Sequence, residues 1–198
     1  MKIICITGGM GSGKSVVAKI IETLGYPVYY SDERAKQLYF DADIKPKIIE
    51  LLGTQAYIDD KTINKKYIAE KIFSDKSLLD KINNIIHTAV KNDFQKFLNE
   101  HKDQTFIFKE SALTFEAGLN NACDKIILVT APKDVRIKRV MKRDNLSEQE
   151  VMSRMANQWD DEKKIPLANY VINNIESEPL LPKVLDIIED LKKQENIF

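Results

Sequence analysis

The stretch Gly8-Gly9-Met10-Gly11-Ser12-Gly13-Lys14-Ser15 fits the pattern G-x-x-x-x-G-K-[ST] of a phosphate-binding loop. In such a loop the glycines let consecutive backbone N–H groups point at a polyphosphate, and the following helix adds the partial positive charge of its N-terminus. We expect Lys14 to reach the β- and γ-phosphates and the Ser15 hydroxyl to be a Mg²⁺ ligand. The residues predicted to bind the nucleotide here are Gly9, Gly11, Ser12, Gly13, Lys14, Ser15 and Val16.

The sequence on both sides of this loop supports a strand before it and a helix after it. The apolar run 3–6 is typical of a parallel strand buried on both faces. Apolar residues then recur at helical spacing up to Leu24, and Gly25 and Pro27 end the helix. The alternative is a glycine-rich turn without a ligand, but such a turn has no need of Lys14 and Ser15 at these offsets.

Short apolar runs alternate with helical patterns along the rest of the chain. We predict strands at 2–7, 27–30, 105–108, 125–130 and 170–172. The segment 44–102 has no strand-like run and predicts helices at 46–52, 65–73 and 78–98. The pattern predicts one α/β domain over 1–198, a three-layer parallel sheet with the phosphate loop after its first strand. The helical insertion over 44–102 is a natural place for an acceptor to bind.

Composition places further limits on the function. Lys and Arg number 30, as do Asp and Glu, so the net charge is zero and nothing indicates nucleic acid as the main partner. Two cysteines far apart, Cys5 and Cys123, predict buried fillers without a disulfide and suit a reducing cytosol. No apolar run approaches the about 20 residues that span a membrane. A cytoplasmic protein without a membrane partner is the expectation.

Two features beyond the loop favour a small-molecule kinase with a lid. Asp32 falls at the carboxyl end of the second predicted strand, the edge where open α/β sheets bind ligands. Arg136, Arg139 and Arg143 share one side of a later helix. The stretch Ser147-Glu148-Gln149-Glu150 fits a capping box and starts the next helix. The segment 145–165, which is polar over 159–164, is the predicted lid. The Asn-Lys-x-Asp and Asp-x-x-Gly motifs of a nucleotide switch do not occur in the sequence.

With these residues in view, the chain from Ile3 to about Asn174 resembles dephospho-coenzyme A kinases, which phosphorylate the ribose 3′-hydroxyl in the last step of coenzyme A synthesis. The loop with its paired glycines resembles that of the family, and so does the acidic motif 31–36 after the second strand. The segment 139–144 resembles the family's R-x-x-x-R-D. The segments 154–158, 162–164 and 168–174 resemble its lid and last strand.

The resemblance implies ATP and Mg²⁺ as cofactors and dephospho-coenzyme A as the small-molecule partner, in a monomer or weak homo-oligomer. It places Lys14 and Asp32 in catalysis, with Asp32 on the family's catalytic aspartate. Arg139, with Arg143 beside it, would lie over the adenine or the phosphates when the lid closes. The residues assigned to the acceptor are Asp32, Lys36, His87, Leu113, Phe115 and Glu116.

The chain departs from the family at two prolines. Thr88 follows His87 where the family has proline, and Ala112 stands where its Pro-Leu-Leu-Phe-Glu motif begins. The positions therefore carry over while the loop shapes do not. In this chain Lys36 stands where the family commonly carries arginine.

Each candidate residue also has a structural alternative. Asp32 could cap a helix beginning at Glu33, and the arginines could form a solvated basic face. His87, beside an apolar stripe, could be structural. Glu116 could be the charge at the start of a short helix, while Leu113 and Phe115 could fill the core.

Two other functions remain open from the sequence. One is another small-molecule or nucleoside kinase on the same scaffold. The other is a nucleotide-binding regulatory protein with little turnover.

Overall fold

Five strands form one sheet in the computed structural model, which describes residues 1–196 apart from the side chains of residues 74 and 76. The strand order is β2-β5-β1-β6-β7. The strands are β1 (Lys2–Thr7), β2 (Val28–Tyr30), β5 (Phe106–Glu110), β6 (Lys125–Thr130) and β7 (Tyr170–Asn173). β1 pairs in parallel with β5 and β6, and β6 pairs in parallel with β7.

Helices flank this sheet, so the predicted three-layer α/β fold is confirmed. Those of the sheet-bearing part are α1 (Lys14–Thr23), α6 (Lys133–Asp144), α7 (Glu148–Met155), α8 (Asp161–Lys164) and α9 (Leu180–Gln194). The capping box expected at Ser147 is present, with Ser147 and Glu150 bonding each other's backbone N–H at the start of α7. No helix within residues 1–196 is long and apolar enough to cross a membrane.

The central strand β1 carries the phosphate loop at its carboxyl end. Ile4, Ile6 and Thr7 have no exposed surface, because strands lie on both sides of β1 and helices cover the sheet. In the register between β1 and β5, Ile6 is opposite Glu110. The end of β5 therefore lies beside the start of the loop.

The chain divides into two compact units. The first, residues 1–29 and 103–198, contains the loop and most of the sheet. The second, Tyr30–Lys102, contains α2 (Ser31–Leu38), α3 (Lys45–Leu52), α4 (Lys65–Ser74) and α5 (Lys76–Glu100). It has its own core, formed by Ile44, Ile48, Leu52, Ala56, Ile82, Ile86 and Ala89. It begins at Tyr30 rather than at residue 44 because α2 packs on α5, where Arg34 Nε donates to Asp93 Oδ2 at 2.7 Å.

The second unit also contains a short hairpin that the sequence did not predict. Its strands are β3 (Tyr57–Asp59) and β4 (Thr62–Ile63), which pair in antiparallel fashion. The turn is closed by the Lys61 N–H, which donates to Asp59 Oδ1 at 2.7 Å. Strands of three and two residues are too short to produce an alternating pattern, so the expectation of a purely helical insertion is wrong here.

The cysteine prediction is also wrong. Cys5 and Cys123 form a disulfide, with their Cα atoms 5.7 Å apart across 118 residues of sequence. The neighbouring residues explain the approach, because the Asp124 N–H donates to Ile3 O at 2.8 Å and the Ile3 N–H donates to Asp124 Oδ2 at 2.7 Å. Spacing along the chain does not reveal that β1 and the start of β6 are neighbours.

Candidate active site

The phosphate loop is held in shape by the side chain of Asn174, which directly follows the edge strand β7. Gly13 has a φ of 94°, in the left-handed region that favours glycine. A Cβ atom added there would lie 2.1 Å from Asn174 Nδ2. That amide nitrogen donates to Ser12 O at 2.8 Å, and Asn174 itself is buried. A side chain at position 13 would therefore break the contact that fixes the loop.

The charged centre of the site is Lys14, whose side chain is 16% exposed. Its Nζ lies 3.7 Å from Glu110 Oε1, at the end of β5, and the Glu110 side chain is only 6% exposed. Ser15 and Val16 follow on the first turn of α1, and both are exposed. The structure thus leaves the start of α1 open to a ligand and places a lysine and a carboxylate beside it.

Arg139 lies near the same loop. Its Nη2 donates to the main-chain oxygen of Asn174 at 3.4 Å. Its Nη1 is buried and has no hydrogen-bond partner among the described residues. Buried polar atoms are nearly always satisfied, so the unsatisfied guanidinium nitrogen is a reason to expect a ligand there. Arg143 differs, since its side chain is 60% exposed and bonds Asp144, as expected of a solvated basic face.

Glu116 connects to the predicted lid. Its Oε1 lies 2.7 Å from Nζ of Lys164, which is fully buried, and accepts a hydrogen bond from the Trp159 N–H at 2.9 Å. Burial by itself raises the pKa of Glu116, but the hydrogen bonds from Lys164 and from backbone N–H groups outweigh it and leave the pKa below its usual value. Oε2 is buried without a hydrogen-bond partner among the described residues. Glu116 therefore holds the lid segment, and its acceptor role stays a prediction.

The two apolar candidates differ in exposure. Phe115 is 3% exposed and packs with Cys5, Ile126 and Leu128 in a core cluster, as in the core-filling alternative. Leu113 is 44% exposed, which leaves it available to a ligand. Contact of either residue with an acceptor stays a prediction.

The remaining candidates belong to the second unit. Asp32 and Lys36 are exposed on α2, and His87 is exposed on α5 between the buried residues Ile86 and Ala89. Exposure removes the idea of a buried structural histidine. The helix that carries Asp32 begins at Ser31 with Tyr30 as its N-cap, so Asp32 is in the first turn. The alternative in which Asp32 caps a helix beginning at Glu33 is wrong.

Three residues that hold the loop were not among the predicted site residues: Glu110, Asn174 and Arg136. Glu110 had a sequence signal, because a carboxylate at the end of a strand points to the ligand edge of the sheet. Asn174 ends the resemblance to the family's last strand. The sequence placed Arg136 only on the arginine face of its helix, without a contact.

Comparison with known proteins matches the chain to a family. Residues 2–179 match the family model described as dephospho-CoA kinase. The chain belongs to the dephospho-CoA kinase family. A dephospho-CoA kinase of Bacteroides fragilis is 38% identical over 185 residues, covering 92% of this chain and 89% of that protein. One of Porphyromonas gingivalis is also 38% identical, covering 97% of this chain and 95% of its own.

Solved structures agree with the family assignment. Dephospho-CoA kinase from Campylobacter jejuni superposes with a TM-score of 0.69 at 25% identity, covering 98% of each chain. A Thermus thermophilus protein superposes with a TM-score of 0.82 at 28% identity, covering 98% of this chain and 97% of its own. Shikimate kinase from Acinetobacter baumannii, at 15% identity, 98% and 94% coverage and a TM-score of 0.52, shares the fold alone. The chain is thus a phosphotransferase of the dephospho-CoA kinase family, for which ATP is the phosphate donor.

Proposed function

We propose that this chain transfers the γ-phosphate of ATP to the ribose 3′-hydroxyl of dephospho-coenzyme A, the last step of coenzyme A synthesis. The observation that carries the proposal is the phosphate loop with Lys14 beside the exposed start of α1, in a chain of the dephospho-CoA kinase family. The reaction requires the protein mainly to position the reactants and to stabilise charge.

Lys14 neutralises charge on the β- and γ-phosphates, while the N–H groups at the start of α1 bind phosphate oxygens. Arg139 contributes a second positive charge near the loop, where its Nη1, which has no hydrogen-bond partner among the described residues, would bond the nucleotide. Closure of the lid segment 145–165 would exclude water that otherwise hydrolyses ATP.

The residues beside the loop also fit a magnesium ion. Mg²⁺ prefers oxygen ligands and keeps several waters, so one or two protein oxygens are enough. The exposed Ser15 hydroxyl and the Glu110 carboxylate, 3.7 Å from Lys14, provide such oxygens. The ion would neutralise phosphate charge when bound.

On the acceptor side, Asp32 takes a hydrogen bond from the attacking hydroxyl and orients it. Lys36 and His87, both exposed, bind the phosphates or the nucleotide part of the acceptor. Leu113, Phe115 and Glu116 complete the proposed acceptor contacts.

The proposal extends to the setting of the enzyme: a monomer or weak homo-oligomer in the cytoplasm. Its support is the family resemblance, and no helix among residues 1–196 could span a membrane. Because Cys5 and Cys123 form a disulfide, the cysteines no longer support a location in the reducing cytosol.

Incubation with ATP and Mg²⁺ against a panel of acceptors tests the function. We expect ADP and coenzyme A in equal amounts from dephospho-coenzyme A, and no transfer to nucleosides or shikimate. Turnover on nucleosides would favour a nucleoside kinase. ATP binding without any turnover would favour a regulatory protein.

A further inference from the structure

Arg136 forms a connection between the phosphate loop and the lid segment that the catalytic roles above do not use. The residue lies on α6 and is only 9% exposed. Its Nε donates to Met10 O at 3.0 Å, and its Nη1 donates to Asp161 Oδ2 at 3.1 Å. Met10 belongs to the loop and Asp161 is the first residue of α8. One guanidinium therefore bonds both elements.

The loop backbone is shaped to receive this side chain. A Cβ atom at Gly9 would lie 2.1 Å from Arg136 Nη2, and one at Gly11 would lie 2.5 Å from Arg136 O. Glycine at both positions lets the loop lie directly against α6. A β-carbon at either position would push the arginine away from its acceptors.

The two peptide groups that flank the Met10 Cα atom are both held by hydrogen bonds to side chains outside the loop. The Met10 N–H donates to Gln158 Oε1 at 2.7 Å, just as Met10 O accepts from Arg136. Gln158 stands between α7 and α8, within the lid segment. Since both groups bonded to residue 10 come from α6 or the lid segment, this part of the loop cannot turn without disturbing those bonds.

The ion pair between Arg136 and Asp161 is largely shielded from solvent, so it can contribute to the stability of the docked segment. The two side chains are 11% and 19% exposed, so solvent screens them less than it screens a surface pair. Asp161 Oδ1 is buried without a hydrogen-bond partner among the described residues, so Arg136 supplies the main compensation for that carboxylate. Losing the arginine would leave a shielded negative charge next to a loop that binds phosphate.

We propose that Arg136 and Asp161 are positioning residues that couple nucleotide binding in the phosphate loop to the docked state of the lid segment. The inference rests on the proposed function in one respect, that a nucleotide occupies the loop. Because such coupling is reciprocal, a docked lid segment raises nucleotide affinity, and bound nucleotide holds the segment in place. Neither residue needs to touch the substrate.

Asp161→Asn tests the coupling with little change of shape. We expect the affinity for a non-hydrolysable ATP analogue, measured by calorimetry, to fall about tenfold, within the usual range of coupling between sites. Affinity for dephospho-coenzyme A alone should stay within about twofold. In turnover, the ADP released per coenzyme A formed should rise, because an undocked segment admits water. The control is Asp160→Asn, which removes a neighbouring exposed charge and keeps a good N-cap for α8.

Trp159, the only tryptophan, reports the same equilibrium without turnover. In the wild type its emission should shift with the ATP analogue, and in Asp161→Asn the shift should need about tenfold more analogue. Arg136→Gln and the double variant complete a cycle. If Arg136 and Asp161 act through each other, the double variant should lose no more analogue affinity than the single variant with the larger loss.

Equal analogue affinity in Asp161→Asn and Asp160→Asn would overturn the inference, as would strictly additive losses in the cycle. Should Arg136→Gln fail to fold, the comparison of the two aspartate variants decides alone. A wild-type protein that binds no ATP analogue would instead overturn the proposed function, so the two failures are distinguishable.

Discussion

Lys14 has a structural partner in addition to its proposed catalytic role. Its side chain is largely buried beside Glu110, so its removal leaves a buried carboxylate without that charge. We expect Lys14→Ala to lower the transfer rate by about 10²-fold or more. The same change should also lower the free energy of unfolding, because the 3.7 Å ion pair with the Glu110 carboxylate is lost.

A second substitution separates the two effects. In Lys14→Ala combined with Glu110→Gln, stability should return toward the wild type while activity stays lost. Lys19→Ala, a 72% exposed lysine on the same helix, is the control and should leave rate and stability nearly unchanged. A coupled ADP assay and thermal unfolding measure both. Substantial activity in Lys14→Ala would mean that the loop is not the catalytic phosphate site.

Asp32 has a different structural alternative once the start of its helix is known. In the first turn of α2 the carboxylate interacts favourably with the helix dipole, an effect of about 0.3–1 kcal/mol. Asp32→Asn should therefore lower stability slightly. If the carboxylate orients the acceptor hydroxyl, the rate should fall about 10² to 10⁴-fold, with ATP binding near normal.

Glu33→Gln is the matched control, because it removes an exposed negative charge from the same turn. Both variants should show similar melting temperatures, and only Asp32→Asn should lose turnover. A rate loss below about tenfold in Asp32→Asn would show that the Asp32 carboxylate only stabilises the helix and that another residue is the catalytic base.

At the scale of elements, Glu116 holds α8 at both ends, through the Trp159 N–H just before the helix and through Lys164, its last residue. We expect this attachment to depend on pH. A carboxyl group whose pKa is lowered by folding stabilises the fold at pH values above its unfolded pKa. It loses that contribution as the pH falls through its folded pKa. Because the pKa of Glu116 is lowered, the attachment should be complete at neutral pH and lost below its usual value of 4.5.

Trp159 emission during acidification from about pH 7 to about pH 3 measures this loss. The wild type should show a transition below the usual glutamate pKa, and Glu116→Gln should lack it. The neutral amide of Glu116→Gln still accepts hydrogen bonds. At neutral pH this variant should therefore lose less free energy of unfolding than the roughly 3–5 kcal/mol that breaking a buried ion pair costs. An identical acid transition in both proteins would show that another group controls the segment.

The sequence predicted elements well where the signal is local. The loop was predicted because its residues are contiguous, and the box at Ser147 because a cap spans four residues. The hairpin at Tyr57 was missed because five strand residues give no periodicity. The partners of the loop, Glu110 and Asn174, depend on strand register and order, which a single sequence does not contain.

The same limit appears in the whole molecule. The α/β class followed from the alternation of strands and helices, but the disulfide did not, since Cys5 and Cys123 meet only through the β1–β6 neighbourhood. The boundary at Tyr30 was likewise hidden, because packing of α2 on α5 decides it. The disulfide and this boundary both depend on contacts between residues distant in sequence.

The division into two compact units predicts two separable binding reactions. ATP binding should depend on the loop in the first unit. Acceptor binding should depend on the second unit, where His87 is exposed on α5. In calorimetric titrations His87→Ala should weaken dephospho-coenzyme A binding about tenfold or more, the size of one lost hydrogen bond to a charged group, without ATP present. ATP affinity should change less than about twofold. The other histidine, His101, bonds Phe97 O at the end of α5, so His101→Ala is the control and should leave acceptor affinity intact. If His87→Ala binds the acceptor as tightly as this control does, His87 is not a ligand and the second unit binds the acceptor through other residues.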